Sequence, residues 1–207
     1  MSLLSQKEVT EYLKIAESVP SQQRKKILQL LELDRVERCK ESFLFFVQQM
    51  WPVFISGKHH KIMADAFERV ANGELKRLII NMPPRHTKSE FASYLLPAWF
   101  LGKFPEKKII QTAHTAELAV GFGRKVRNLV QSEVYQKVFS TELSSDSKAA
   151  GRWNTKQGGD YFAIGVGGAV TGKGADLLII DDPHSEQEAK QNNPAVDRKS
   201  TRLNSSH

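Results

Sequence analysis

The sequence is poor in cysteine and in long apolar runs. Cys39 is the one cysteine among 207 residues, which excludes an intrachain disulfide and any metal site built from several thiolates, and favours a reducing compartment. No apolar run approaches the ~18 residues of a membrane-spanning helix, and residues 5–8 are polar directly after a short apolar start. The sequence therefore predicts a soluble, cytoplasmic protein that has neither a signal peptide nor a membrane partner.

Acidic residues are the scarcer charge. The chain has 23 Asp or Glu against 30 Lys or Arg, which gives a formal net charge of +7. Residues 101–174 hold 11 basic and 6 acidic side chains, whereas residues 175–207 hold 4 and 6. This excess favours a polyanion such as DNA as a partner, although a solvated surface of mixed charge explains the same counts equally well.

Helical patterns fill the first part of the chain. Ser5 and Glu8 have the spacing of a capping box, which predicts a helix from there to about residue 18. The chain restarts at Pro20 with apolar residues on one helical face, and residues 43–50 predict a third helix. We interpret these helices as packing on the segment that follows, with a docking surface for another protein as the alternative.

Strands and helices alternate from residue 58 onward. Helices are predicted over residues 61–71, 89–101 with a kink at Pro97, and 115–131; strands are predicted over residues 77–81, 108–112, 161–164 and 177–180. A hairpin turn over residues 154–160 precedes the third strand. This alternation predicts parallel strands and right-handed crossovers, hence an α/β fold with a three-layer, mostly parallel sheet.

The segment 82–89, Met-Pro-Pro-Arg-His-Thr-Lys-Ser, joins a predicted strand to a predicted helix and is a candidate phosphate-binding loop. Lys88 would add a charge at the β and γ phosphates of a nucleotide, and the Ser89 hydroxyl would complete a Mg²⁺ shell. Met82 and Thr87 replace the two glycines of the usual G-x-x-x-x-G-K-[ST] motif. A Pro-Pro turn with a solvated lysine therefore explains this segment alone equally well. In the nucleotide interpretation, phosphate would bind the backbone amides of Arg85, His86, Thr87, Lys88 and Ser89.

Two adjacent carboxylates, Asp181 and Asp182, follow the predicted strand 177–180. They lie at the sheet edge where ligands bind in open α/β folds, and a divalent metal would relieve their repulsion. Asp181 is predicted to hold Mg²⁺ with Ser89, and Asp182 to orient or deprotonate the attacking water. An ordinary strand end is the alternative, but together with Lys88 the pair favours a nucleotide site.

Seven of the 13 glycines lie within residues 158–174. This segment is too flexible to pack as a core element. It is either an ordinary connection or, because it contains Lys173, a mobile loop beside phosphates or a DNA backbone.

Three segments together resemble the large subunit of tailed-bacteriophage terminases, the ATPase of the DNA-packaging motor: residues 81–89, 116–130 and 171–183. The resemblance extends over about residues 51–194. It implies a P-loop ATPase that uses ATP and Mg²⁺ to drive double-stranded DNA into a procapsid. It also implies a homo-oligomeric ring in the bacterial host cytoplasm, with the portal protein and the small terminase subunit as partners.

The resemblance also assigns roles to individual residues. Lys88 and Ser89 match the phosphate and Mg²⁺ positions, and Asp181 matches the metal-side aspartate. Asp182 matches the catalytic carboxylate, which is Glu in many terminases, and Arg85 matches a proposed internal arginine finger. The segment around Trp51, His59 and His60 matches the region that contacts adenine.

The implied domains are an N-terminal helical segment over residues 1–57 and a P-loop ATPase domain over residues 58–197. The coupling segment and nuclease domain of the family would be missing, so no nuclease activity is expected. Residues 198–207 are polar and aperiodic, which predicts an unstructured tail; its likeness to the end of a reading frame that runs into adapter sequence leaves open whether it is native. The alternatives are another P-loop motor such as a helicase, and a non-catalytic prophage remnant that binds nucleotide or DNA.

Overall fold

The computed structural model describes residues 3–83, 85–146, 149–170 and 172–184. The described residues form two compact units: residues 3–78 with Lys137–Phe139, and residues 79–136 with residues 140–184. None of the helices in these ranges combines the length and apolar character needed to cross a lipid bilayer. The tail predicted over residues 198–207 lies outside the described residues.

The first unit is helical. Its helices are α1 (Gln6–Ser18), α2 (Ser21–Glu41), α3 (Phe43–Met50) and α4 (Lys58–Ala71). The predicted capping box is confirmed, because the Glu8 amide donates to Ser5 Oγ (3.3 Å) and the Ser5 amide donates to the Glu8 carboxylate (2.6 Å). Phe43 packs edge-on against Phe67, so α3 and α4 share an aromatic core. The domain boundary after residue 57 stays a prediction, and α4 belongs to this compact unit.

The second unit contains a four-stranded sheet. Its strands are β1 (Lys108–Ala113), β2 (Arg152–Asn154), β3 (Asp160–Gly165) and β4 (Leu177–Asp181), in the order β2-β3-β1-β4. β1 is parallel to β3 and β4, and β2 forms the predicted antiparallel hairpin with β3. The prediction of an α/β fold with a mostly parallel sheet is thereby confirmed. Within the described residues β4 pairs with β1 alone, so it is an edge strand.

The second unit also contains helices that pack against the sheet. They are a π-helical segment (Glu90–Leu95), α5 (Leu96–Lys103), α6 (Ala116–Val130) and the short α7 (Glu133–Gln136). The Thr115 cap predicted for α6 is confirmed, because Thr115 Oγ1 accepts from the Leu118 amide (3.2 Å). Trp153 stacks on Tyr161 with ring centroids 4.7 Å apart, and its indole N–H donates to the carbonyl of Gly123 on α6 (3.2 Å). These contacts fasten α6 to the hairpin, while a three-layer arrangement stays a prediction.

The connection from β3 to β4 contains most of the glycine cluster. Lys173 Nζ lies 4.1 Å from the centroid of the Phe162 ring, and a Cβ at Gly168 would clash with the Ile164 side chain. Lys173 and Gly168 therefore both lie close to side chains of β3. They support the interpretation of this segment as a connection that runs along the sheet.

The buried strand predicted over residues 77–81 is wrong. No strand forms there, and Ile79 is 86% exposed. An apolar run indicates burial, but a strand also needs neighbouring backbone groups to pair with. Among the described residues no strand pairs with this segment, so the candidate phosphate loop follows an irregular segment and not a strand.

Candidate functional site

Lys88 and Ser89 form the start of a helix that continues through the π-helical segment into α5. The Phe91 amide donates to the Thr87 carbonyl (3.0 Å), which places Thr87 at the helix cap. The amides of a first helical turn have no partners within the helix, and the positive end of the helix dipole lies there. This end of the helix is therefore suited to an anion, as the sequence predicts for residues 85–89.

The loop contains backbone angles that favour glycine, although it lacks glycine. Arg85 has φ 64° and Thr87 has φ 61°. For residues other than glycine this conformation costs about 1–2 kcal/mol, and it is rarer still for a β-branched residue such as Thr87. Thr87 stands at the second glycine position of the usual motif, so the backbone makes the turn that the motif normally obtains from glycine. Asp182, at the end of β4, also has a positive φ, 41°.

Lys88 and Asp182 form an ion pair that joins the loop to the end of β4. Lys88 Nζ lies 2.5 Å from Asp182 Oδ1, across 94 residues of sequence. The Asp182 side chain is 70% exposed and the Lys88 side chain 24%. Exposed ion pairs are weak because water competes with them. An anionic ligand at the loop could therefore replace the Asp182 carboxylate as the partner of Lys88.

Asp181 is buried, and two hydroxyl groups hold its carboxylate. Ser89 Oγ donates to Oδ1 (3.1 Å), and Ser93 Oγ donates to Oδ2 (2.9 Å). Asp181 is the last residue of β4 and is 7% exposed. Within the described residues no Lys or Arg forms an ion pair with it. A buried carboxylate without a cation is costly, so this donor set suits a metal ion.

The Ser89 and Asp181 oxygens fit two neighbouring positions of a Mg²⁺ shell. Octahedral coordination at about 2.0–2.1 Å places adjacent ligands about 2.8–3.0 Å apart. The observed separation between Ser89 Oγ and Asp181 Oδ1 is 3.1 Å. In the described ranges no group of three or more His, Cys, Asp or Glu side chains converges. A Mg²⁺ ion here would therefore take most of its ligands from water and from a substrate phosphate, as Mg²⁺ commonly does.

The other predicted loop residues lie at the surface. Arg85 and His86 are exposed, and Thr87 Oγ1 donates to the His86 carbonyl (2.6 Å). Arg85 forms no ion pair with a described acidic residue. The structure thus brings Lys88, Ser89 and the two aspartates together, and it leaves the Arg85 side chain outside that cluster.

The segment that resembles an adenine-contacting region forms an aromatic cluster in the first unit. Trp51 lies against Phe54 (ring centroids 5.4 Å apart), and Phe54 lies edge-on to His60 (4.7 Å). His60 Nδ1 accepts the Gly57 amide (2.8 Å) and so caps α4. Burial, and then the charge of neighbouring His59, lower the pKa of His60. Capping and packing account for these contacts without a ligand.

Sequence reasoning missed Ser93. It is fully buried and belongs to the π-helical segment, whose neighbouring residues Phe91 and Leu95 are apolar and buried. Ser93 follows Ser89 by four residues, a spacing that puts both hydroxyls on one helical face. A second polar residue on the Ser89 face of an otherwise apolar helix was the available signal.

Comparison of the chain with protein-family models, with curated proteins and with solved structures finds no match. The resemblance to terminases therefore rests on the quoted sequence segments.

Proposed function

We propose that this chain is the P-loop ATPase part of a terminase large subunit, which hydrolyses ATP to move double-stranded DNA into a procapsid. One observation carries the proposal. A lysine ammonium group, a serine hydroxyl and two carboxylates meet at one helix start, through contacts of 2.5 Å (Lys88 to Asp182) and 3.1 Å (Ser89 to Asp181). These are the groups that phosphoryl transfer to water requires.

In this proposal the residues of the cluster divide the work. Lys88 exchanges Asp182 for the β and γ phosphates when ATP binds at the helix start. Ser89 and Asp181 hold Mg²⁺, which supplies charge neutralisation at the phosphoryl oxygens. Asp182, released from Lys88, orients the attacking water or accepts its proton. Its side chain is one carbon shorter than the Glu of many terminases, so we expect slow turnover.

Arg85 is proposed to stabilise the charge on the transferring phosphoryl group. The observation that supports this role is the place of Arg85 on the loop, three residues before Lys88, with an exposed side chain. Ordering of the loop around bound ATP would bring the guanidinium group toward the phosphates. His86 and Thr87 would contribute their backbone amides.

The proposed partners follow from the charge and from the resemblance. The excess of basic residues over positions 101–174 suits the DNA backbone, which a packaging motor must grip without reading sequence. We also propose that the intact protein forms a homo-oligomeric ring in the cytoplasm of the bacterial host. Its partners there would be the portal protein and the small terminase subunit.

Phosphate release with Mg-ATP tests the proposal. We expect weak hydrolysis by the parent chain and a loss of at least about 100-fold in Lys88→Ala, because removing one electrostatic contact to a transferring phosphoryl group has effects of that size. Lys156→Ala is the matched control, since it removes the same charge from an exposed ion pair with Glu142. Equal hydrolysis by Lys88→Ala and the parent would show that the loop has been assigned wrongly.

A second candidate is a non-catalytic protein that binds nucleotide or DNA. The exposed segment around Ile79 favours it, because the strand expected to support the phosphate loop is not formed. Thermal unfolding with and without Mg-ATP distinguishes the candidates when it is combined with phosphate release. Stabilisation without release supports the second candidate, and stabilisation with release supports the first.

A further inference from the structure

Each oxygen of the Asp181 carboxylate has its own hydroxyl partner. Ser89 donates to Oδ1 (3.1 Å) and Ser93 donates to Oδ2 (2.9 Å). The two hydroxyls differ in surroundings, because Ser93 is fully buried whereas Ser89 is partly exposed. The Ser93 hydroxyl is therefore held away from water, while Ser89 lies beside the open part of the site.

The π-helical segment holds Ser93 in this position. The Leu96 amide donates to the Phe91 carbonyl, five residues earlier, so the helix is locally wider than an α-helix. Pro97 lies four residues after Ser93 and has no amide to donate to the Ser93 carbonyl, which accounts for the irregular ladder here. Buried Phe91 and Leu95 flank Ser93, so the direction of its side chain is fixed by packing.

We propose that Ser93 is a positioning residue that makes the metal site prefer Mg²⁺ to Ca²⁺; this inference rests on the proposed function. With Oδ2 occupied by Ser93, Asp181 presents only Oδ1 to a metal ion. Mg²⁺ accepts a carboxylate through one oxygen in a strict octahedron at about 2.0–2.1 Å. Ca²⁺ takes 6–8 oxygens at about 2.3–2.6 Å and often binds both oxygens of one carboxylate.

Loss of the Ser93 hydroxyl would free Oδ2 and let the carboxylate turn. The Mg²⁺ site would become less well ordered, and Ca²⁺ would gain an oxygen ligand. Hydrogen-bonded partners of metal ligands commonly change metal affinity 10–100-fold when they are removed. A hydroxyl that only satisfied a buried group would lower stability without changing the ratio of the two affinities. The Mg²⁺/Ca²⁺ ratio therefore separates the two roles.

The test is binding of a fluorescent ATP analogue, N-methylanthraniloyl-ATP, during titration with MgCl₂ or CaCl₂. In Ser93→Ala we expect the half-saturating Mg²⁺ concentration to rise about tenfold, and that for Ca²⁺ not to rise, because Ca²⁺ gains Oδ2 as a ligand. Ser93→Thr keeps the hydroxyl and should retain the parent ratio. Thr141→Val is the control, because Thr141 is equally buried and its hydroxyl donates to the Leu101 carbonyl (3.0 Å) on another part of the second unit.

The outcomes separate this inference from the proposed function. An unchanged Mg²⁺/Ca²⁺ ratio in Ser93→Ala, with binding lost in Lys88→Ala, overturns the role of Ser93 and leaves the nucleotide site standing. A parent chain that binds no analogue with either metal overturns both proposals. If Ser93→Ala fails to fold, Ser93→Cys replaces it, because a thiol fills the site but donates weakly; a parent-like ratio in Ser93→Cys overturns the inference.

Discussion

Thr87 adopts a left-handed backbone conformation that threonine rarely adopts in proteins. Thr87→Gly should therefore stabilise the chain by about 1 kcal/mol relative to Thr87→Ala, because only alanine has an unfavourable energy at a positive φ. Both variants lack the hydroxyl that donates to the His86 carbonyl, so the difference isolates the backbone. Urea unfolding of the two variants measures it.

Which of the two variants is more stable shows whether residue 87 has a positive φ. At an ordinary negative φ, glycine would be the less stable of the two, since it loses more conformational freedom on folding. A more stable Thr87→Ala would therefore mean that the loop does not make the turn described for it.

Single residues also show why the site was only partly predictable. Lys88 and Ser89 were predicted because they match the Lys-Ser end of a phosphate-loop motif at a predicted strand-to-helix junction, and Asp181 and Asp182 because they follow an apolar strand. Neither signal gives the distance between the two segments, which depends on tertiary packing. Ser93 was missed because its spacing from Ser89 places it on the same helical face but does not show that this face meets a carboxylate.

At the scale of elements, the start of α4 carries a pH-sensitive contact. Burial and neighbouring His59 hold the pKa of His60 below its ordinary value of about 6.5. As pH falls below that value, the unfolded chain takes up a proton that the folded chain resists, so the free energy of unfolding should fall. The slope cannot exceed about 1.4 kcal/mol per pH unit.

His60→Gln is the matched variant, because a glutamine at this position can still accept the Gly57 amide but does not titrate. In urea unfolding, we expect the free energy of unfolding of the parent to fall by more than that of His60→Gln when the pH is lowered from about 7.5 to about 5.5. Parallel pH profiles would contradict this interpretation of the His60 environment.

The elements themselves were predicted unevenly. β1, β3 and β4 were predicted because their apolar runs are bounded by turns and are buried in the sheet. Residues 77–81 have the same pattern, yet Ile79 is exposed. The pattern indicates the tendency of a segment to be buried, and it does not show whether the segment pairs with a neighbouring strand. The π-helical segment was likewise invisible, since Pro97 signals an irregular helix but not its form.

At the scale of the whole molecule, the positive charge predicts DNA binding that depends on salt. The affinity for a short DNA duplex should fall steeply between 50 and 200 mM salt, as about one counterion is released for each phosphate neutralised. Two duplexes of different sequence should bind equally. Fluorescence anisotropy measures both. An affinity that does not change with salt concentration would contradict binding through the DNA backbone.

Two charge-reversal variants test which part of the chain binds DNA. Arg124 is exposed on α6, within the basic stretch 101–174, and Lys26 is exposed on α2 outside it. Each substitution to Glu changes the net charge by the same amount. Arg124→Glu should weaken binding more than Lys26→Glu; equal effects would mean that overall charge, and not this part of the chain, attracts DNA.

The edge position of β4 has a consequence for any growth of the sheet. Within the described residues its outer side has no neighbour, and its last residue is Asp181. A further β-strand added on that side, from whatever source, would run directly past the carboxylates. Its end would then lie beside the proposed nucleotide site, so extending the sheet and completing that site would be a single assembly event.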